Sequence, residues 1–168
     1  NYYDKVQNLT SLDDYILFDY ASTAYVLEQY EKAVKLAQTG IQKYPQYGSF
    51  NRIALYGSDK LKQYDAAVNY GKALFSATDT IKYTQNDYIY YADALTNVGR
   101  LDDAIAAYKH ISEIAPENKD VNKYIAEAYT KAKKFPEAVA AYEQYLKDKG
   151  DDVTYKEYDN FADIYLEQ

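Results

Sequence analysis

Apolar residues fall at helical spacing along most of the chain, and the same helical faces return. Tyr88, Tyr91, Ala92 and Leu95 stand at i, i+3, i+4 and i+7, which puts them on one side of a helix. Tyr158, Phe161, Ala162 and Tyr165 repeat that arrangement, and their rings are expected to form an apolar stripe with no second helix to cover it, either a cap packing backward or a cut through a longer array. A different face follows the first: Ala104, Ala107, Tyr108 and Ile111, echoed by Ala138, Ala141, Tyr142 and Tyr145. The pattern therefore predicts pairs of amphipathic helices joined by short turns, with Gly99-Arg100 the clearest turn. Glu31, Asp65 and Asp102 place a carboxylate near the start of a second helix, where the backbone dipole favours negative charge. Pro136 suits the first turn of another, and Pro45 and Pro116 stop theirs.

The pairs recur with a period. An aromatic or Leu followed three residues later by Ala appears at Tyr30–Ala33, Tyr64–Ala67, Leu101–Ala104 and Phe135–Ala138, with the alanines 34, 37 and 34 residues apart. A second series, Ala21, Leu55, Ala92 and Ala126, runs twelve residues ahead of it, with Ala162 following. Pro45 and Pro116 each fall twelve residues after their alanine. A hairpin of about 34 residues cannot bury both apolar faces alone, so the units must stack on one another.

These residues resemble the tetratricopeptide repeat: a small residue within the first helix, an aromatic opening the second, Ala three later and a closing Pro. The resemblance implies an all-α fold, a right-handed α-solenoid of stacked helix-turn-helix hairpins. It divides residues 14–152 into four repeats, 14–47, 48–81, 85–118 and 119–152. Residues 1–13 form an N-terminal helix or arm, and 153–168 a terminal capping or half-repeat helix. The repeat at 85–118 fits best. The one at 48–81 fits worst: Leu55 stands where a small residue is usual, Gly57 lies inside its first helix, and no Pro closes it.

Composition narrows the function. The net charge of −7 has the wrong sign for a phosphate-binding surface, so no nucleic-acid partner is expected. No apolar run approaches the roughly 20 residues of a membrane span, so no membrane insertion is expected. Cysteine is absent, which removes disulfides, thiolate metal sites and cysteine nucleophiles, and fits either side of a membrane. Methionine is absent too, which reads as a processed protein or a piece of a longer one. The single histidine, His110, is placed on a solvent side, and Asp148, Asp151 and Asp152 lack the alternating spacing of a calcium loop. No enzyme, metal or cofactor is expected.

Tyrosine is the excess: 23 against 5 phenylalanines. Twelve, Tyr158 and Tyr165 among them, fall at packing positions. Tyr15, Tyr25, Tyr47 and Tyr56 fall on the concave face that the resemblance assigns to the first helices. That face is projected to carry Tyr15, Phe18, Ser22 and Tyr25, then Arg52, Tyr56, Asp59 and Lys60. It continues with Ile89, Asp93, Thr96 and Asn97, then Lys123, Glu127, Thr130 and Lys131. An aromatic groove with a few charges suits a protein or peptide segment, since rings give contact area at low entropic cost. The Lys/Asn/Arg clamp with which some relatives hold a C-terminal carboxylate has no counterpart: Phe18, Ser22, Tyr56, Ile89 and Asp93 offer no cation. Two other readings stand beside the groove: a structural scaffold or self-assembling array, and a carbohydrate site built on exposed tyrosine rings.

Overall fold

The computed structural model describes residues 12–167. The N-terminal arm expected over 1–13 lies almost wholly outside them. Among the described residues the regular elements are all helical, and the chain divides between Tyr83 and Thr84 into two compact units.

The first unit holds α1 (Asp14–Val26), α2 (Tyr30–Lys43), α3 (Gly48–Lys60) and α4 (Tyr64–Phe75). Each packs on its neighbour in sequence, and α1 also touches α3. Asp13 caps α1, its carboxylate accepting the Ile16 amide at 2.8 Å. Leu17, Tyr20, Ala21, Ala33, Leu36, Phe50 and Ile53 build the core. Two glycines set how closely the helices approach. A Cβ on Gly40 would lie only 2.2 Å from Phe50 Cδ1, and one on Gly57 would lie 2.6 Å from Val34 Cγ2. Gly57, odd as a repeat residue, is thus what lets α3 sit against α2.

The stretch after α4 folds back onto α3. Asp79 accepts the Gly48 amide at 2.9 Å, Arg52 Nη2 donates to the Lys82 carbonyl at 2.7 Å, and the Tyr83 ring packs edge-on to Phe75 at 5.0 Å. Side-chain anchors do here what a closing proline does after α2, which ends before Pro45.

The second unit holds α5 (Gln85–Asn97), α6 (Leu101–Ile114), α7 (Val121–Lys131), α8 (Phe135–Lys149), a 3₁₀ turn (Gly150–Asp152) and α9 (Tyr155–Leu166). Again neighbours in sequence pack together, and α5 also touches α7. Helices α5 and α9 open with capping boxes, Thr84 with Asp87 and Thr154 with Glu157, in which the carboxylate accepts the cap amide at 2.7 Å. Its core runs from Leu95, Ala104 and Ile111 to a cluster of Ala126, Ala138, Tyr142, Tyr145 and Ile164.

All four hairpin turns are closed the same way. Glu28, Lys62, Gly99 and Lys133 take a left-handed φ of 57–79°. The next residue's amide reaches back five positions, as in Gln29 to Ala24 and Lys134 to Tyr129, both at 2.9 Å. This is the Schellman closure, in which the turn satisfies the last carbonyls of the first helix. Hydrogen bonds between hairpins also keep the period: Gln38 to Tyr70, Asn118 to Gln85 and Lys131 to Asn97 span 32, 33 and 34 residues.

One sequence expectation is corrected in α9. The register puts Tyr158 and Tyr165 at packing positions, but they are 55% and 59% exposed and Ala162 is exposed too, in keeping with the uncovered stripe that the same spacing predicts. The helix instead turns Glu157, Phe161 and Ile164 inward, Phe161 stacking on Tyr142 at 5.9 Å. The reason is chemical. The carboxylate of Glu157 pairs with the Lys149 ammonium and accepts the Tyr145 hydroxyl, so its charge is compensated where it is buried. Among the described residues no second helix covers the other face.

Candidate functional site

In each unit the first helices of adjacent hairpins lie side by side, so residues one repeat apart can meet across them. In the first unit this brings together part of the aromatic set. Tyr25 of α1 meets Tyr56 of α3 at 5.9 Å between ring centroids, and also meets Tyr30 at 5.5 Å. Phe18 is half-buried, its ring edge-on to Phe50 at 6.0 Å. Tyr15, one turn earlier, is 76% exposed, and Lys60 is exposed at the end of α3. Arg52 sits one turn before Tyr56, with its guanidinium on the Lys82 carbonyl. Tyr47 stands at the start of α3, its ring 6.1 Å from Tyr44. Of Tyr15, Tyr25, Tyr47 and Tyr56, then, one is exposed and three are half-buried.

The second unit gives a polar arrangement. Asp93 of α5 accepts the hydroxyl of Tyr108, which burial and the Asp93 charge push far above its ordinary value. That phenol therefore stays protonated and donating. Asn97 donates to the Asp93 carbonyl at 2.7 Å and takes the Lys131 ammonium on its side-chain oxygen, which joins α5 to α7. Thr96 and Thr130, one repeat apart, both bond back to the carbonyl four residues earlier at 2.9 Å. Glu127 is held above the ordinary carboxylate range by surrounding protein, reinforced by Asp93 and Asp120 and opposed by Lys123. Glu127 and Lys131 border an open depression of about 400 Å³ shared with Tyr142, Asn160 and Asp163. Ile89 borders another of about 330 Å³ with Tyr124 and Asp120.

The residues missed by sequence reading are Tyr108, Tyr124, Asp120, Asn160 and Asp163. Helical periodicity correctly buries Tyr108, but it carries no information on where the hydroxyl at the end of a buried ring emerges. The Tyr108 and Tyr124 rings stack at 5.7 Å across the α6–α7 turn. His110 is exposed, with Nδ1 2.7 Å from Glu113 and its ring against Tyr88. Among the described residues no group of three His, Cys, Asp or Glu side chains could hold a metal ion, and no helix is long and apolar enough to cross a membrane.

Residues 95–157 match the model of the tetratricopeptide repeat family. No protein of curated function matches the sequence. Solved structures extend the likeness across most of the chain. One of MamA (MSR-1) is 18% identical with a TM-score of 0.73, covering 87% of this chain and 82% of its own. YrrB, described as a tetratricopeptide repeat protein with an unusual peptide-binding site, is 10% identical with a TM-score of 0.72, covering 92% and 77%. A thermophilic member from Thermus thermophilus is 19% identical with a TM-score of 0.62, covering 92% and 82%. At these identities the likeness is one of fold. The fold is that of a tetratricopeptide repeat protein, an all-α helical repeat.

Proposed function

We propose that the protein is a non-catalytic interaction module whose first-helix faces bind a protein or peptide segment. The tetratricopeptide fold supports a protein-interaction or scaffold role, and the observation that points to the groove is the Tyr25–Tyr56 contact across α1 and α3, with Phe18 two turns before Tyr25 on α1. Half-buried rings held by their neighbours give a partner apolar area without a large loss of side-chain freedom. The binding set we assign is Tyr15, Phe18, Tyr25, Arg52, Tyr56 and Lys60 in the first unit, with Ile89, Asp93, Asn97, Lys123 and Glu127 in the second. Asp93, already accepting from Tyr108, would repel a terminal carboxylate, which supports an internal segment rather than a chain end as the ligand.

Carbohydrate stacking would need a row of open rings, and of the four tyrosines only Tyr15 is open. The peptide reading is therefore preferred. The test is affinity capture from the source lysate with the wild-type chain, Tyr25→Ala and Tyr56→Ala, each first matched by circular dichroism. Both variants should lose a captured protein by about tenfold or more, as truncation of an aromatic anchor does. Equal capture by wild type and both variants would remove the groove assignment.

A further inference from the structure

A polar station recurs in the second unit one period apart, and only its first copy is complete. There, Asp93 of α5 accepts the Tyr108 hydroxyl of α6, and the Tyr124 ring of α7 stacks on Tyr108 at 5.7 Å. In the same register 34 residues on, Glu127 of α7 and Tyr142 of α8 border one depression. Asn160 of α9, 36 residues after Tyr124, stands where that ring would be. With an amide in place of a ring, the second station is left open as a depression of about 400 Å³.

The groups around this opening lack the partners that their counterparts have. Tyr142 is 1% exposed, and its hydroxyl is buried with no hydrogen-bond partner, although the Asn160 side chain lies close by. A buried hydroxyl in that condition is uncommon, because the unmade bond leaves its desolvation uncompensated. Glu127 makes no hydrogen bond or ion pair among the described residues. Its carboxyl is held above the ordinary range by surrounding protein in spite of Lys123, the condition of an anion short of compensation. Asp163 of α9 borders the depression from the other side, and Lys131 at the rim has its ammonium on Asn97 of α5.

Glu127, Asp163, Tyr142 and Asn160 can all accept a hydrogen bond, and two of them are anions. A guanidinium presents five N–H donors in a planar fork and is more weakly hydrated than an ammonium, so it suits several acceptors at once where a lysine is a point charge. The two arginines of the sequence are both engaged, Arg52 on the Lys82 carbonyl and Arg100 on Asp103, so none of the 168 residues supplies it. We infer that the depression takes an arginine side chain of a bound partner segment, its guanidinium on the Glu127 and Asp163 carboxylates and in reach of the Tyr142 and Asn160 oxygens. The inference rests on the reading of the first-helix faces as a binding groove, and it adds Tyr142, Asn160 and Asp163 to the second-unit part of that groove.

The test titrates the whole chain with the blocked tripeptide Ala-Arg-Ala and its citrulline and lysine counterparts, following amide resonances. Citrulline keeps the shape of arginine without its charge. The arginine peptide should shift the resonances of Glu127, Asn160 and Asp163 and bind about tenfold tighter than the citrulline peptide, with the lysine peptide between them. Glu127→Gln/Asp163→Asn should remove that preference. Tyr142→Phe should weaken the arginine peptide about threefold yet melt no lower than wild type, since it deletes a hydroxyl that nothing in the free protein satisfies. Four outcomes would overturn the inference: shifts that avoid α7 and α9, equal affinity for the arginine and citrulline peptides, a preference that survives the double variant, or a Tyr142→Phe chain that melts below wild type. The two readings fail separately. Capture lost in Tyr25→Ala and Tyr56→Ala without an arginine preference keeps the groove and removes this pocket, and the reverse keeps the pocket and removes the groove.

Discussion

Three of the four hairpin turns ask a side chain to do what glycine does without strain. Glu28, Lys62 and Lys133 hold φ near 58°, where Cβ crowds the following carbonyl at a cost of about 1 kcal/mol. Lys133→Gly should therefore raise the unfolding free energy by about 0.5–1 kcal/mol, the relief of strain outweighing the added freedom of the unfolded chain. Urea denaturation reads this directly, and Gly99→Ala should lower stability by a similar amount. Of the four turns only Gly99 is legible in the sequence, because the others use residues that announce nothing about φ. The buried alanines were the opposite case. Ala33, Ala67, Ala104 and Ala138 are fully buried, as are Ala21, Leu55, Ala92 and Ala126, since a period of helical faces determines which positions have no room. Tyrosine falls between: Tyr20, Tyr108, Tyr142 and Tyr145 are buried, while Tyr158 and Tyr165 are not.

Between helices, fit is set by what is missing as much as by what is present. Gly40 leaves the space into which the Phe50 ring of α3 packs. Gly40→Ala should destabilise by about 1–3 kcal/mol despite the better helix propensity of alanine, because a fully buried ring has nowhere to move. Adding Phe50→Leu should recover part of that loss, and a double-mutant cycle on thermal unfolding would show the coupling. The docking of α9 obeys electrostatics instead. The hydrogen bond from Lys149, then those from Tyr145 and Thr154, hold the Glu157 carboxyl far below its ordinary value of 4.5. Lys149 is correspondingly raised, and Tyr145 is pushed up to about 12, chiefly by burial. A depressed carboxyl stabilises fully above its unfolded value and loses that contribution as pH falls toward the folded one. Glu157→Gln should then lower the melting temperature by a constant amount between pH 6 and 9, with the gap to wild type closing below about pH 4.5. Periodicity missed this element because it ranks Tyr above Glu for burial. The capping box Thr154-x-x-Glu157, which is present in the sequence, was the available signal.

At the scale of the whole molecule, every helix within each unit packs on its neighbour in sequence, and the bonds that join hairpins span about one period. That architecture was legible because its cause, two apolar faces per hairpin, repeats along the chain. The aromatic contact at Tyr25–Tyr56 was legible for the same reason, whereas the polar set around Asp93 depends on where buried rings end. The short reach of the inter-hairpin bonds also has a kinetic meaning. Closing a loop of about 34 residues costs little more entropy than closing one half as long, so these contacts do not wait for a distant segment. Most contacts join residues close in sequence, and the main refolding phase in stopped-flow should be complete within about milliseconds, as for other helical folds dominated by local contacts. Each hairpin can settle as soon as the next has left the ribosome, so the chain assembles in the order in which it is made.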